Sequence, residues 1–206
     1  PNGWDINGDT ILFAAADCTG HGVPGAMVSI VCHNALNQSV KEFGITQPNL
    51  ILKKSRDLVI DTFSESTENV QDGMDIALCS LNTKTNILQY AGANNPIWII
   101  RNEATDIEEY KADKYHIGKC DMMKSFTNHS IQLNKGDTFY IFSDGYPDQF
   151  GGPKGKKFKY KPFKELLLSI VKNPISKQRE HLKNHFINWK GNLEQVDDIC
   201  VIGVRI

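Results

Sequence analysis

The sequence carries no excess of either charge: 23 Lys and Arg stand against 24 Asp and Glu, a formal net charge of −1. Such a balance gives no long-range field to draw in nucleic acid or an anionic membrane surface, so neither is an expected partner. Cysteine is scarce and odd in number. Cys18, Cys32, Cys79, Cys120 and Cys200 are widely spaced and form no CxxC, which argues against a disulfide framework or a zinc ribbon and for a reducing, cytoplasmic setting. The six histidines show no HExxH spacing, so a zinc site is not indicated. No apolar run nears the roughly 18 residues of a membrane span, and no signal-peptide pattern opens the chain. Internal repeats and low-complexity tracts are also lacking.

What remains is 206 residues, 40% of them hydrophobic, enough for one domain with a sizeable core. Asn7-Gly8 is a hairpin signal joining an upstream strand, mostly missing here, to a strand over Thr10–Ala16; the abrupt start points to an N-terminally truncated domain. Pro24 in a first turn predicts a helix that ends near Gly44, with Met27, Ile30, Val31 and Ala35 on one apolar face. A second helix is expected over about Pro48 to Phe63, with Ile51, Leu58, Val59 and Phe63 on one side. The polar stretch "SESTENVQDG" reads as a loop. Strands follow at Asp75–Asn82, Ile87–Ala91, Ile97–Arg101, Ser125–Gln132 and Thr138–Ser143, separated by "NTKTN", "GANNP" and "NKGD". The lysine-rich "GGPKGKKFKYK" reads as a solvated loop. Two amphipathic helices, one with Phe163, Leu166, Leu167, Ile170 and Val171 and one with Leu182, Phe186 and Trp189, precede a last strand, Asp198–Arg205. The order implies an α+β layered domain of antiparallel sheets flanked by helices.

Acidic residues fall at the ends of these strands. Asp17 follows "ILFAAA", Asp144 follows "TFYIFS", and Asp197-Asp198 precedes "ICVIGV". Any one of them alone is also ordinary turn chemistry. Together they point elsewhere: glycine-containing turns follow Asp17 and Asp144 and let the backbone close around a small charged object. Short carboxylates on strand ends supply the oxygen ligands that a hard divalent cation such as Mg2+ or Mn2+ prefers.

Five segments, "DCTGHGVPGA", "DGMDIALCSL", "YAGANNPIWIIR", "KGDTFYIFSDGYPDQFGG" and "EQVDDICVIGVRI", resemble in order and spacing the SpoIIE-like branch of the metal-dependent protein phosphatases, the PPM or type 2C group. The resemblance covers nearly the whole chain. It implies a PPM-phosphatase-like β-sandwich of mostly antiparallel sheets flanked by helix pairs, layered α-β-β-α, its first strand missing here, with two Mn2+ or Mg2+ ions at one edge in the intact domain. Carried over residue by residue, Asp17 matches the aspartate that bridges both metals and the Cys18 backbone carbonyl the adjacent ligand. Asp144 and Asp197 match the aspartates that complete the protein ligands of the other metal, and Asp198 is a supporting neighbour or alternate ligand. Gly20 and Gly22 would let the turn make room for water and a substrate phosphate. The implied reaction is hydrolysis of phosphoserine or phosphothreonine by a metal-activated water, without a covalent intermediate.

Other matches are looser. His21 is a candidate general acid, yet it lies four residues after Asp17 where eukaryotic-type members place a histidine two after, so a turn-stabilising role stays open. Asn94 and Asn95 resemble the family's "GHNP" turn and shape a loop near the site; Gly73 and Asp75 read as structural. One departure matters: the family's upstream "GD" acidic motif lies before Pro1, and Asp5 and Asp9, around the hairpin turn, do not replace it.

By resemblance the substrate is a phosphorylated regulatory protein, such as an antagonist of an anti-sigma factor in bacterial partner switching. The chain would serve as a cytoplasmic C-terminal output domain, or one on the cytoplasmic face of a membrane-tethered parent, with homodimerisation a further expectation. Two other readings stay open. One is a catalytically inactive phosphatase-fold module that binds a phosphoprotein or regulatory partner; the other is a general small-phosphoester hydrolase.

Overall fold

Strand-forming runs separated by turn residues supply two main sheets and a small hairpin. The computed structural model describes residues 4–6, 8–20, 22–64, 72–120 and 124–206. In chain order the elements are β1 (Trp4–Ile6), β2 (Thr10–Cys18), α1 (Gly22–Lys41), α2 (Pro48–Ser64), β3 (Met74–Asn82), β4 (Ile87–Ala93), β5 (Ile97–Ile100), β6 (Glu108–Tyr110), β7 (His129–Gln132), β8 (Thr138–Phe142), α3 (Gly145–Asp148), β9 (Phe150–Gly151), β10 (Lys156–Lys157), α4 (Tyr160–Ile170), α5 (Ile175–Lys190) and β11 (Val201–Arg205). They fall into two units: residues up to Ile97 with Tyr110–Leu133, and Trp98–Glu109 with Asn134–Ile206.

In the first unit an antiparallel sheet runs β1-β2-β3-β4-β7. The strand before the hairpin turn is thus present as the three residues of β1, paired Ile6↔Thr10 across a turn in which Gly8 takes φ +72°. Asn7 lies outside the described residues. Alternation along the strands turns Leu12, Ile76, Leu78 and Ala91 toward the helix pair, where they pack with Val28, Cys32, Ala35, Ile51, Leu52 and Val59. This corrects the expected face of α1 in part: Ala35 is buried and Val31 packs against the core, but Met27 and Ile30 are not on that side. Met27 and Ile30 are 64% and 61% exposed, while Gly25, Val28, Cys32, Ala35, Leu36, Ser39 and Val40 are buried. Small residues on that side let α2 come close enough for the buried Ser39 and Ser55 hydroxyls to meet at 3.0 Å, with Ser39 also donating to the Ala35 carbonyl at 2.7 Å. Close packing of a continuous small-residue stripe outweighs the larger apolar area of Met27 and Ile30.

The second unit holds the sheet β11-β8-β5-β6 and the hairpin β9-β10. Its core is aromatic: Tyr146 stacks on Phe163 with centroids 4.5 Å apart, and Trp98 lies 4.5 Å from Phe142 and 5.5 Å from Phe163. The last two helices stand where their apolar periodicity places them. Three expectations shift. The strand expected over Ser125–Gln132 is reduced to β7, because Phe126 is buried in the helix-side core and Thr127 is held by Asp113, whose carboxylate accepts its N–H at 2.6 Å. The lysine-rich stretch contains the hairpin β9-β10, with Lys157 paired to Asp148 at 2.8 Å. The first strand runs two residues further than Ala16 and carries Asp17 inside it. Most of the loop expected over 64–73 lies outside the described residues.

Asp137, 2% exposed, shows how the second unit manages a buried charge. Its carboxylate accepts from Arg101 Nη1 at 2.9 Å and from the backbone N–H groups of Asn102 at 2.8 Å and Asn134 at 2.9 Å. Burial alone would raise its pKa, but these donors outweigh burial and hold it below the ordinary carboxylate value. The contribution to stability is therefore complete above the unfolded pKa of about 4 and is lost as pH falls through the depressed folded value. Asp137→Ala should cost about 2–4 kcal/mol, since two backbone N–H groups and a guanidinium lose their acceptor. Denaturant melts over a pH series should also show a flatter decline below about pH 4 in the variant; an acid limb like that of the wild type would contradict this assignment.

Candidate metal centre

The candidate acids divide between the two units, and each unit builds its share from backbone pairing. In the second unit β8 and β11 pair antiparallel with Phe142 opposite Val201. Beyond that pair the two chains stay tied: Ser143 N donates to the Cys200 carbonyl at 3.0 Å, Ser143 Oγ to the Asp198 carbonyl at 3.0 Å, and Cys200 N to Ser143 Oγ at 3.0 Å. Asp144 leaves the end of β8 and Asp197-Asp198 leads into β11, so this zipper brings them to one end of the sheet. A carboxylate oxygen of Asp144 and one of Asp197 lie within 4.8 Å of each other. Asp144 is half-buried and Asp197 exposed. The Asp144 side chain does not cap α3, and Asp197 Oδ1 accepts the Asp198 N–H at 2.7 Å, which orients its carboxylate.

In the first unit Asp17 is the penultimate residue of β2 and stands opposite Asp75 of β3. Strand alternation places both on the face away from the helix core, where Leu12, Ala14 and Cys18 of β2 and Ile76 and Leu78 of β3 face. Directly opposed carboxylates repel. Burial pushes Asp75 above the usual carboxylate range, against the pull of the Asn94 amide, which donates to Asp75 Oδ1 at 2.8 Å, and of His116. Asp75 had the look of a structural residue in the sequence; its place beside Asp17 makes it part of the surroundings of the site. The signal was available in the alternation of "DGMDIAL", which sets Asp75 against the facing Ile76 and Leu78. Asn94 does shape a loop here, in the left-handed region at φ +59°.

After Asp17 the backbone turns sharply. Thr19 N donates to the Gly73 carbonyl at 2.9 Å, and Gly20 takes φ +90°. A Cβ at Gly25 would meet the Gly20 carbonyl oxygen at 2.6 Å, so the turn closes onto the first turn of α1 only because position 25 has no side chain. Cys18 faces α1. Hydrogen bonding from Cys32 lowers its thiol to about 7 against an opposing effect of burial, while Cys32 is pushed well up by the bond it donates and by burial. His21 lies outside the described residues.

The Asp144 and Asp197 carboxylates of the second unit are oxygen donors of the kind a hard divalent cation takes, and two acids held within 4.8 Å of one another suit a shared positive charge between them.

The family model for Stage II sporulation protein E (SpoIIE) matches residues 7–206. The chain belongs to the SpoIIE family. It stands in the SpoIIE-like branch of the PPM, or type 2C, phosphatases, and its antiparallel sheets and helices form the α+β fold of PP2C domains. Among solved structures it is similar to the SiaA-PP2C domain of Pseudomonas aeruginosa, at 26% identity and a TM-score of 0.87 over 98% of this chain and 78% of that one. The PP2C phosphatase domain with a regulatory-domain fragment of the cell fate determinant SpoIIE from Bacillus subtilis matches at 17% identity and a TM-score of 0.78, over 100% of this chain and 57% of that one. RsbX in complex with magnesium matches at 14% identity and a TM-score of 0.63, over 97% and 82%. No curated protein sequence gives a significant match.

The meeting of the Asp144 and Asp197 chain ends in the second unit depends on one close approach. A Cβ at Gly145 would lie 2.3 Å from the Asp198 carbonyl oxygen, so Gly145→Ala must push Asp198 and its neighbour Asp197 away from Asp144. The expected cost is about 1–3 kcal/mol from overpacking, read by denaturant unfolding; a variant as stable as the wild type would show that this contact is not needed.

Proposed function

We propose that this chain is a metal-dependent protein serine/threonine phosphatase. The observation that carries the reading is the Asp144 and Asp197 carboxylate pair, held on tied strand ends, in a chain of the SpoIIE family. Asp17, the Cys18 carbonyl, Asp144 and Asp197 hold two Mn2+ or Mg2+ ions in the intact protein, with Asp198 supporting Asp197 or replacing it. Bound divalent cations would make a water acidic enough to attack near neutral pH and offset the charge of the phosphoryl group. The chain's own residues set the geometry: the carboxylates fix where cations, and through them an anionic phosphoester, would be held, and the backbone turns tightly at Thr19–Gly20 just after Asp17. His21 is the candidate for protonating the leaving serine or threonine oxygen.

The substrate is a phosphorylated regulatory protein of the partner-switching kind. The domain acts as a single cytoplasmic output module, by itself or as a homodimer; no described helix is long and apolar enough to cross a membrane. Mn2+-dependent hydrolysis of p-nitrophenyl phosphate and of a phosphoserine peptide tests the reading. Asp144→Asn and Asp197→Asn should each lower the rate by about 100-fold or more, beyond the 10–100-fold typical of residues that only support a ligand. Their melting temperatures without metal should match the wild type. Full activity in both variants would remove these residues from the site. A wild type that neither turns over nor binds Mn2+ would make the chain a binding module, and faster turnover of nucleotides or sugar phosphates than of phosphopeptide would make it a small-phosphoester hydrolase.

A further inference from the structure

The even balance of charge breaks at one place in the chain. Residues 149–164, "QFGGPKGKKFKYKPFK", hold six lysines and no acid. In the second unit this stretch forms the β9-β10 hairpin and the start of α4. Two of the lysines have acidic partners: Lys157 pairs with Asp148 at 2.8 Å and Lys164 with Glu109 at 2.7 Å. Lys154, Lys156, Lys159 and Lys161 are exposed, and none forms an ion pair with a described residue.

On a loose loop four such cations would be ordinary solvated charge. Here they stand on a fixed platform. The hairpin pairs Lys156↔Gly151 and Lys157↔Phe150, and α5 supports it from below: Gly152 N donates to the Trp189 carbonyl at 2.8 Å, and the Trp189 indole N–H donates to the Gln149 carbonyl at 3.0 Å. A Cβ at Gly151 would run into the Trp189 carbonyl oxygen, so the strand lies directly on the helix. Past β10, Phe158 N and Lys159 N donate to the Gln149 and Pro147 carbonyls at 3.0 and 2.6 Å. Two rings stand out among the lysines, Phe150 at 40% exposed and Tyr160 at 42%. Exposed aromatic rings are the residues that interfaces favour, and here held cations surround them.

The platform borders the Asp144 end of the sheet. α3 follows Asp144 directly, Asp148 N donates to the Asp144 carbonyl at 2.9 Å, and Lys157 holds the Asp148 carboxylate. We propose that the β9-β10 hairpin and the start of α4 form a docking surface for an acidic segment of a partner protein. Carboxylates on that segment pair with Lys154, Lys156, Lys159 and Lys161, and its apolar side chains meet Phe150 and Tyr160. Nucleic acid fits less well, because it carries a charge at every phosphate, and a strand covering the lysines would bring further phosphates against Asp148 and Asp144. A polypeptide can confine its acids to the lysines. On the phosphatase reading this partner is the phosphoprotein, and the hairpin binds acids that flank its phosphoserine or phosphothreonine. That consequence rests on the phosphatase reading; the docking itself does not.

The test is fluorescence anisotropy of the whole chain, without metal, against a labelled, unphosphorylated peptide rich in glutamate and aromatic residues and its glutamine counterpart. The glutamate peptide should bind about 10-fold more tightly at low ionic strength, and high salt should remove the difference. The triple variant Lys154→Gln, Lys156→Gln, Lys161→Gln should lose about 10-fold in affinity for the glutamate peptide at an unchanged melting temperature. Glutamate at the same three positions should instead favour a lysine-rich peptide. Equal binding of the glutamate and glutamine peptides, or a triple variant that binds as the wild type does, would overturn the proposal. So would a single-stranded oligonucleotide or a phosphatidylserine vesicle that binds through these lysines more tightly than the peptide. With Mn2+ present, the triple variant should raise KM for an acidic phosphoserine peptide and leave kcat unchanged. A chain that prefers the glutamate peptide yet hydrolyses nothing contradicts only the phosphatase reading. One that hydrolyses phosphopeptide without preferring acidic flanks contradicts only this one.

Discussion

The approach of Gly145 to the Asp198 carbonyl is the constraint on which the second unit's acids depend. With any side chain at position 145, the chain leaving β8 could not lie against the chain entering β11. Ser143 then bonds in both directions across the gap, and the two carboxylates that follow have nowhere to go but the same end of the sheet. Their proximity has a cost. Two acids within 4.8 Å repel each other in the absence of a cation, and the Ser143 bonds to Asp198 and Cys200 tie the chain ends that carry them.

The first unit repeats this logic with different means. Asp17 is brought opposite Asp75 by strand register, and the backbone after it is turned tightly by Thr19, Gly20 and Gly25. In each unit the acids thus stand at the end of an antiparallel pair. The buried Asp137 shows the opposite solution: there the protein supplies every donor itself, and the acid is structural.

Much of this was legible in the sequence because the relevant physics is local. Asp17, Asp144 and Asp197 stood out as acids at strand ends, and the segments around them carried the family resemblance. Helices α2, α4 and α5 followed from their apolar period. The face of α1 did not, because periodicity weighs Met27 and Ile30 as large apolar residues and has no measure of how closely small residues let α2 approach. Asp75 was passed over because its importance comes from a cross-strand neighbour more than fifty positions away in the chain. Likewise β7 is shorter than its apolar pattern, since Phe126 and Thr127 are claimed by tertiary contacts with the helix core and Asp113.

The most direct measurement is anomalous diffraction from crystals of the chain grown with Mn2+. The account predicts anomalous peaks at coordination distance, about 2.1 Å for a hard cation of this kind, from carboxylate oxygens of Asp144 and Asp197. Crystals in which these carboxylates bind no Mn2+ at saturating concentration, or in which the ion sits on other residues, would contradict it.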